Sequence, residues 1–307
     1  MKWKIKSITC NLLAGLTALM CNSCTEQPSL QLIDSRTLDF PSASGIEYYG
    51  GNLYLVGDNA PYFLVLSPSF QPIRKIAYWP DTTAVISKEE KPDIESALLT
   101  EKNGKPMLLG IGSLSSENRW PVFEWTIGED SVKKKRLFPK AISFKGIKEI
   151  NIEGSTRFRE GLLFCNRANL TTKMNHLIFW NGPEGFSVKE MRLPQTKSTA
   201  GLSGLYYIRE KDLLLFTASE EATFNATEDG KIGESYLGWI HDFSARSKEA
   251  VLQASGLLQL SAFAPEFKGQ KIEGVCAEIV KDNRYRLYLV ADNDNGKSGI
   301  FKVDLRL

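Results

Sequence analysis

The chain has 307 residues, of which 42% are hydrophobic, 10% aromatic and 24% charged, a composition of globular proteins that excludes a disordered chain. Its 38 Lys and Arg against 36 Asp and Glu give a formal charge of +2; the first 23 residues carry Lys2, Lys4 and Lys6 and no acid, so the remainder stands at −1. That balance excludes a nucleic-acid binder, which needs clustered excess cation to displace counterions from phosphates.

The three early lysines precede an apolar run over residues 8–20. At about 13 residues the run is too short to cross a ~30 Å hydrocarbon core, so residues 1–23 read as a signal peptide for export. Leu19-Met20-Cys21-Asn22-Ser23-Cys24 then offers two cysteines where a bacterial lipoprotein carries its lipid. Cys24, with small Ser23 before it and polar residues 25–29 after it, is the expected lipidation site, whereas bulky Met20 disfavours Cys21. Residues 24–29 are then a lipidated tether and residues 30–307 a single domain. The expected location is the cell envelope, lipid-anchored at the outer membrane or cell surface, the periplasmic side included. No later segment is apolar for 18 residues, so the mature chain is expected not to span the membrane. Of five cysteines only Cys165 and Cys276 then remain in the fold, and they read as two buried free thiols because they fall at different positions of a repeat.

That repeat organises the rest of the chain. The first copy runs Gly45-Ile46-Glu47, Leu53-Tyr54-Leu55-Val56-Gly57-Asp58-Asn59, Tyr62-Phe63-Leu64-Val65-Leu66. Next come Asp93-Ile94-Glu95 with Met107-Leu108-Leu109-Gly110-Ile111, and Asn151-Ile152-Glu153-Gly154 with Leu162-Leu163-Phe164-Cys165-Asn166-Arg167. A weaker copy is Gly201-Leu202-Ser203-Gly204 with Leu213-Leu214-Leu215-Phe216-Thr217. The last runs Ile272-Glu273-Gly274, Leu287-Tyr288-Leu289-Val290-Ala291-Asp292-Asn293, Gly299-Ile300-Phe301-Lys302-Val303. The spacing averages about 56 residues, longer than a minimal four-stranded propeller blade. The excess is assigned to the polar stretches 81–92, 128–150 and 222–235, read as insertions or long loops. Short Leu, Ile, Val, Tyr and Phe runs between Gly, Asn, Asp and Pro favour an all-β fold, and continuous runs such as 213–216 suit strands buried on both faces. The expectation is a five-bladed β-propeller, closed by an N-terminal strand over residues 30–40 added to the last blade. A six-bladed ring, with a sixth unit within 236–270, is the alternative.

The first strand of each blade lines the central channel, which would bring Glu47, Glu95, Glu153 and Glu273 together, with Ser203 in the matching place of the fourth unit. Such carboxylates repel unless a cation or hydrogen-bond donors compensate, and an oxygen-rich ring suits Ca²⁺, which takes 6–8 oxygens at ~2.3–2.6 Å. The other reading is that these glutamates accept backbone N–H bonds and fasten blade to blade. A second set follows the second strand of each unit: Asp58, Asn59, Asn118, Arg119, Arg167, Glu221, Asp292 and Asp294 are expected at one end of the ring, as a rim for a ligand or as turn residues. Only His176 and His241 are present, and there is no HExxH pair, Gly-x-Ser-x-Gly elbow, Walker loop or paired CxxC, which argues against triad acyl transfer and zinc chemistry.

The stretch from Lys91 to Leu98, Gly110-Ile111-Gly112-Ser113 with Asn118-Arg119, Asn151 to Gly154, Phe216 to Glu221, and Ile272-Glu273-Gly274 resemble a family of uncharacterised bacterial propeller-like proteins over roughly residues 44–307. More distantly, Gly45-Ile46-Glu47 with Leu53-Tyr54 and Asp58, and Ile272-Glu273 with Leu287-Tyr288, are similar to the calcium-activated nucleotidases; the esterase-like phytase propellers share this blade grammar. The resemblance implies a propeller and, through the nucleotidases, calcium in the tunnel; Asn59 departs from the acid and arginine of that pattern. Two functions follow as expectations. One is a monomeric envelope module binding a small molecule, glycan or protein at its rim, with a central calcium site. The other is a calcium-dependent hydrolase of phosphate esters or anhydrides, with Glu47, Glu95, Glu153 and Glu273 on the ion and Asp58 or Asp292 positioning water.

Overall fold

The computed structural model describes residues 27–307 apart from 81–84, 139–143, 183–184, 195, 226–229, 282 and 294–295. The signal segment 1–23, Cys24 and the start of the tether, and Asp294 of the expected rim therefore lie outside the described residues.

Strand β1 (Ser29–Leu38) is followed by blade 1, made of β2 (Ala43–Tyr49), β3 (Asn52–Gly57), β4 (Tyr62–Leu66) and β5 (Pro72–Ala77). Blade 2 comprises β6 (Ile94–Lys102), β7 (Lys105–Gly112), β8 (Pro121–Thr126) and β9 (Val132–Arg136), and blade 3 comprises β10 (Ile152–Phe158), β11 (Gly161–Asn166), β12 (Asn175–Trp180) and β13 (Phe186–Arg192). Then come β14 (Ala200–Ile208), β15 (Leu213–Glu221), β16 (Ile232–Ile240), the short helix α1 (Phe243–Arg246), β17 (Val251–Gln253) and β18 (Gly256–Gln259). The chain ends with β19 (Ile272–Lys281), β20 (Arg284–Asp292) and β21 (Ser298–Arg306). The protein is a five-bladed β-propeller.

Blade 5 is completed by β1, which pairs antiparallel with β21 from Ser29↔Arg306 to Leu38↔Ser298. This joins the two ends of the ring and covers an edge, as the repeat count required. Residues 236–270 form no sixth blade: they supply part of β16, then β18 as the fourth strand of blade 4, while β17 crosses to pair parallel with β13 of blade 3. The stretch 128–150 is only partly insertion, since β9 within it is the outer strand of blade 2, and β16 begins inside the supposed loop 222–235.

Hydrophobic burial sits between blades. Leu213 and Leu215 enter the cluster shared with blade 5, while Leu214 and Phe216 enter the one shared with blade 3. A strand that alternates sides every residue and finds a neighbouring sheet on each must be apolar throughout. Each such Leu or Phe, fully buried, contributes about 1.5–3 kcal/mol. Cys165 and Cys276 are buried and free, as expected. Tight hairpins follow from local chemistry: Gly50-Gly51 and Asn103-Gly104 take the positive φ values (57° and 78°, 53° and 75°) that two-residue turns need.

Candidate functional site

Each inner strand carries a β-bulge at the same level, where the register with the second strand slips at Ala43/Gly45, Ile94/Ser96, Ile152/Gly154, Leu202/Gly204 and Ile272/Gly274. The extra residue is left unpaired, which re-aims its side chain. Those residues are Ser44, Glu95, Glu153, Ser203 and Glu273, so three carboxylates and two hydroxyls occupy the matching positions. Ser44 donates to the Ile94 carbonyl and Ser203 to the Ile272 carbonyl (2.7 Å), each reaching the bulge of the next blade.

Glu47 is not among them, which corrects the repeat alignment. It stands three residues beyond Ser44, opposite Tyr54, and its Oε1 accepts from the Leu99 N–H of blade 2 at 3.1 Å. Thr156 does the same from the equivalent place in blade 3, accepting from Tyr207 N–H at 3.0 Å. Gly-Ile-Glu and Ile-Glu-Gly are near-identical words, and only strand pairing shows that they are offset. Burial pushes the Glu47 carboxyl from the ordinary 4.5 up to about 8, with the Leu99 N–H pulling the other way. With the folded pKa raised, the stability this group contributes is full below about pH 4.5 and lost as pH rises through about 8. Glu47→Gln keeps an acceptor for Leu99 without a titrating proton. Thermal melts should show the variant above the parent at pH near 8 and level with it near pH 4; a gap independent of pH would clear Glu47 of this role.

Just past the bulges the backbones crowd. A Cβ on Gly154 would lie 2.8 Å from Gly204 Cα, and one on Gly204 2.7 Å from the Glu273 carbonyl oxygen. The channel is therefore narrow there, and its polar mouth lies on the other side of the bulges. Two further levels line that mouth. Two residues before each bulged position stand Asp93, Asn151 and Lys271, on the same side because side chains alternate along a strand. From the ends of the second strands come Asp58, Arg167 and Asp292, and Lys88, Lys91, Arg119 and Glu221 also stand in the wall. Asp93 has φ +54°, a left-handed conformation that aspartate tolerates better than most residues.

The charges interlock. The Lys91 ammonium contacts Asp58 and lies 3.0 Å from Asp93, whose other oxygen accepts from Arg119 Nη1 (2.7 Å) and Ser113 Oγ (2.6 Å). Arg167 donates to Glu153 (3.4 Å) and Glu221 (3.1 Å), and Lys271 bridges Glu221 (3.2 Å) and Glu273 (2.9 Å). Burial alone would depress the Lys91 ammonium, but Asp58 and Asp93 outweigh it and push it up. Burial would raise Glu221, yet Arg167 and Lys271 hold it below the usual carboxylate range.

Glu95 differs. It makes no hydrogen bond or ion pair with any described residue, and burial together with the charges of Asp93, Glu153 and Glu273 drives its carboxyl well above the ordinary range. One carboxylate oxygen from each of Asp58, Asp93 and Glu95 lies within 4.8 Å of the others, and Asp58 Oδ1 is enclosed without a partner. Among the described residues seven acids line the mouth against five bases, with no apolar side chain among them. Oxygen donors of this kind fit a hard cation such as Ca²⁺ and not a soft one.

Of the expected rim, Asp58, Arg119, Arg167, Glu221 and Asp292 meet at the mouth. Asn118 is exposed and supports the wall from behind, its Nδ2 donating to the carbonyls of Glu89 and Lys91. Asn59 accepts from Ile86 N–H through its carbonyl at 2.8 Å and does not line the mouth. Lys91, Asp93 and Lys271 were not anticipated as site residues; their signal was their place two or four residues before a ring acid.

The model of a family described as "Family of unknown function (DUF6929)" matches residues 39–305. No curated protein matches the chain. Among solved structures, a glutaminyl cyclase of Myxococcus xanthus is similar at 12% identity and TM-score 0.51, over 90% of this chain and 96% of that one. An arabinanase of Bacillus subtilis is similar at 14% identity and TM-score 0.47, over 87% and 96%. A member of the duf4221 family from Bacteroides vulgatus is similar at 11% identity and TM-score 0.42, over 91% and 99%. At these identities the likeness concerns the fold alone.

Proposed function

The chain belongs to the DUF6929 family, and we propose that it is an exported, lipid-anchored propeller that binds a divalent cation, or a small ligand carrying a cationic group, in its channel mouth. The observation that carries this is Glu95, a carboxyl without a partner among the described residues, set beside Asp58 and Asp93 in a wall where acids exceed bases. A buried excess of negative charge is costly, and a bound cation relieves it. Asp58, Asp93 and Glu95 would hold Ca²⁺, with Glu153 and Glu273 lending field from the same level. Acylation at Cys24 would keep the protein at the envelope as a monomer.

The hydrolase reading has less support. Arg119 and Arg167, the guanidinium groups of the mouth, are each already paired with acids, so neither stands ready for a phosphate. Calorimetric titration of the purified chain with Ca²⁺ tests the proposal. Saturable binding is expected, with Glu95→Gln weakening it at least tenfold, about 1.4 kcal/mol, and no turnover of nucleotides or phytate in the loaded protein. Absence of binding at millimolar Ca²⁺, or equal affinity in the variant, overturns it; calcium-dependent turnover transfers the site to the hydrolase.

A further inference from the structure

The end of blade 5 opposite the mouth carries a second charged feature of a different kind. Strand β20 runs from Arg284 to Asp292, and Asp292 lines the mouth, so Arg284 marks the far end. There Lys281 pairs with Arg284, Arg284 with Arg306, and Arg306 with Ser29. Three exposed basic residues thus stand in register across three neighbouring strands. Like charges directly opposite one another repel across a sheet. Lys281 stands on β19, the inner edge strand of the sheet, whereas Arg284 and Arg306 lie on strands paired on both sides, so edge protection does not account for the row. Among the described residues the Arg284 guanidinium lies 3.8 Å from Asp304, and Asp282 of the same hairpin lies outside them. Beside the row, a bulge between Ile279 and Lys281 leaves Ile279 41% and Val280 46% exposed. Two aliphatic side chains beside this basic row, at the end of the blade where the chain enters its first strand, match the charge and polarity gradient of a membrane interface.

We propose that this end of blade 5 rests on an anionic phospholipid bilayer, with Val280 and Ile279 entering the headgroup layer and Lys281, Arg284 and Arg306 meeting phosphates. The orientation rests on the lipid-anchor reading: Cys24 precedes Ser29 by five residues, at most about 17 Å of extended chain, which brings this end and no other to the surface. The channel mouth then points away from the membrane, toward whatever ligand arrives.

The test uses the full chain, lipidated by the export machinery and reconstituted into vesicles of phosphatidylcholine, alone or with about 30% phosphatidylglycerol. Amine labelling of Lys281 should slow about tenfold relative to Lys173, exposed at the mouth end, on the anionic vesicles only, and recover in about 0.5 M salt. The chain with Cys21→Ser and Cys24→Ser should still partition onto anionic vesicles about 30-fold better than the same chain with Lys281→Glu, Arg284→Glu and Arg306→Glu. Equal labelling of Lys281 and Lys173 in a lipidated chain overturns the docking face and leaves the anchor standing. If the exported parent chain carries no lipid on Cys24 and still binds anionic vesicles, the face stands and the anchor is overturned. Protection of Lys281 without vesicles, rising with protein concentration, gives the face to a second copy and overturns the proposal.

Discussion

Arg167→Met is expected to destabilise the protein by about 3–5 kcal/mol, because it removes one partner from a buried ionic set and leaves the others uncompensated. Arg167 is 6% exposed and touches both Glu153 and Glu221, with the Ser219 carbonyl taking a further bond at 3.4 Å. Methionine matches the length and polarisability of the stem, so the loss reports charge and hydrogen bonding more than volume. At about 2–4 °C per kcal/mol for a chain of this size, the melting temperature should fall by roughly 10 °C at neutral pH. The pH dependence follows from Glu221, whose folded pKa Arg167 helps to depress. A depressed pKa contributes stability above the unfolded value and loses it as pH falls through the folded one. The gap between parent and variant should therefore narrow below about pH 4.5. Thermal melts across about pH 2–8 decide it; a gap under about 1 kcal/mol at neutral pH would mean that water replaces the guanidinium without cost.

Lys91→Met should make cation binding tighter and stability conditional on the cation. In the parent, the Lys91 ammonium touches Asp58 and Asp93 and so occupies part of the space in which Asp58, Asp93 and Glu95 would hold an ion. Asn118 supports the Lys91 carbonyl, and Lys91 N–H donates to the Ser87 carbonyl at 2.8 Å, so the backbone delivers the ammonium from a held loop. Without it, three carboxylates face one another in a buried wall. In chelator the variant should lose about 3 kcal/mol, and Ca²⁺ at a hundredfold excess over its dissociation constant should return about 2.7 kcal/mol. Its affinity for Ca²⁺ should exceed that of the parent by about 100-fold, the equivalent of ~2.7 kcal/mol. Melts with and without calcium, paired with calorimetry, provide the readout. Equal loss in chelator and calcium would show that the three carboxylates do not share an ion.

The mouth and the clasps are built from the same strand positions, which explains why one was mistaken for the other. At the bulge a serine fastens blades through Ser44 and Ser203, whereas a glutamate there faces the mouth. Three residues further on, the roles reverse, and Glu47 becomes a fastener like Thr156. Residue type alone does not separate the two, because a carboxylate accepts from a backbone N–H as readily as it repels another carboxylate.

Sequence by itself determined the number of blades, the closing of the ring by its first strand and the burial of runs such as 213–216 on both faces. Those features are written locally, in apolar runs, turn residues and a repeat that recurs along the chain. Tertiary structure alone decided that Ser44 and not Glu47 shares a level with Glu95, Glu153 and Glu273, and that β17 leaves blade 4 for the preceding blade. It also decided that Lys91 and Lys271 turn into the acids of the mouth. A one-residue bulge shifts every side chain after it to the other face, and electrostatic partners are set by distance across blades, which no linear spacing along the chain records.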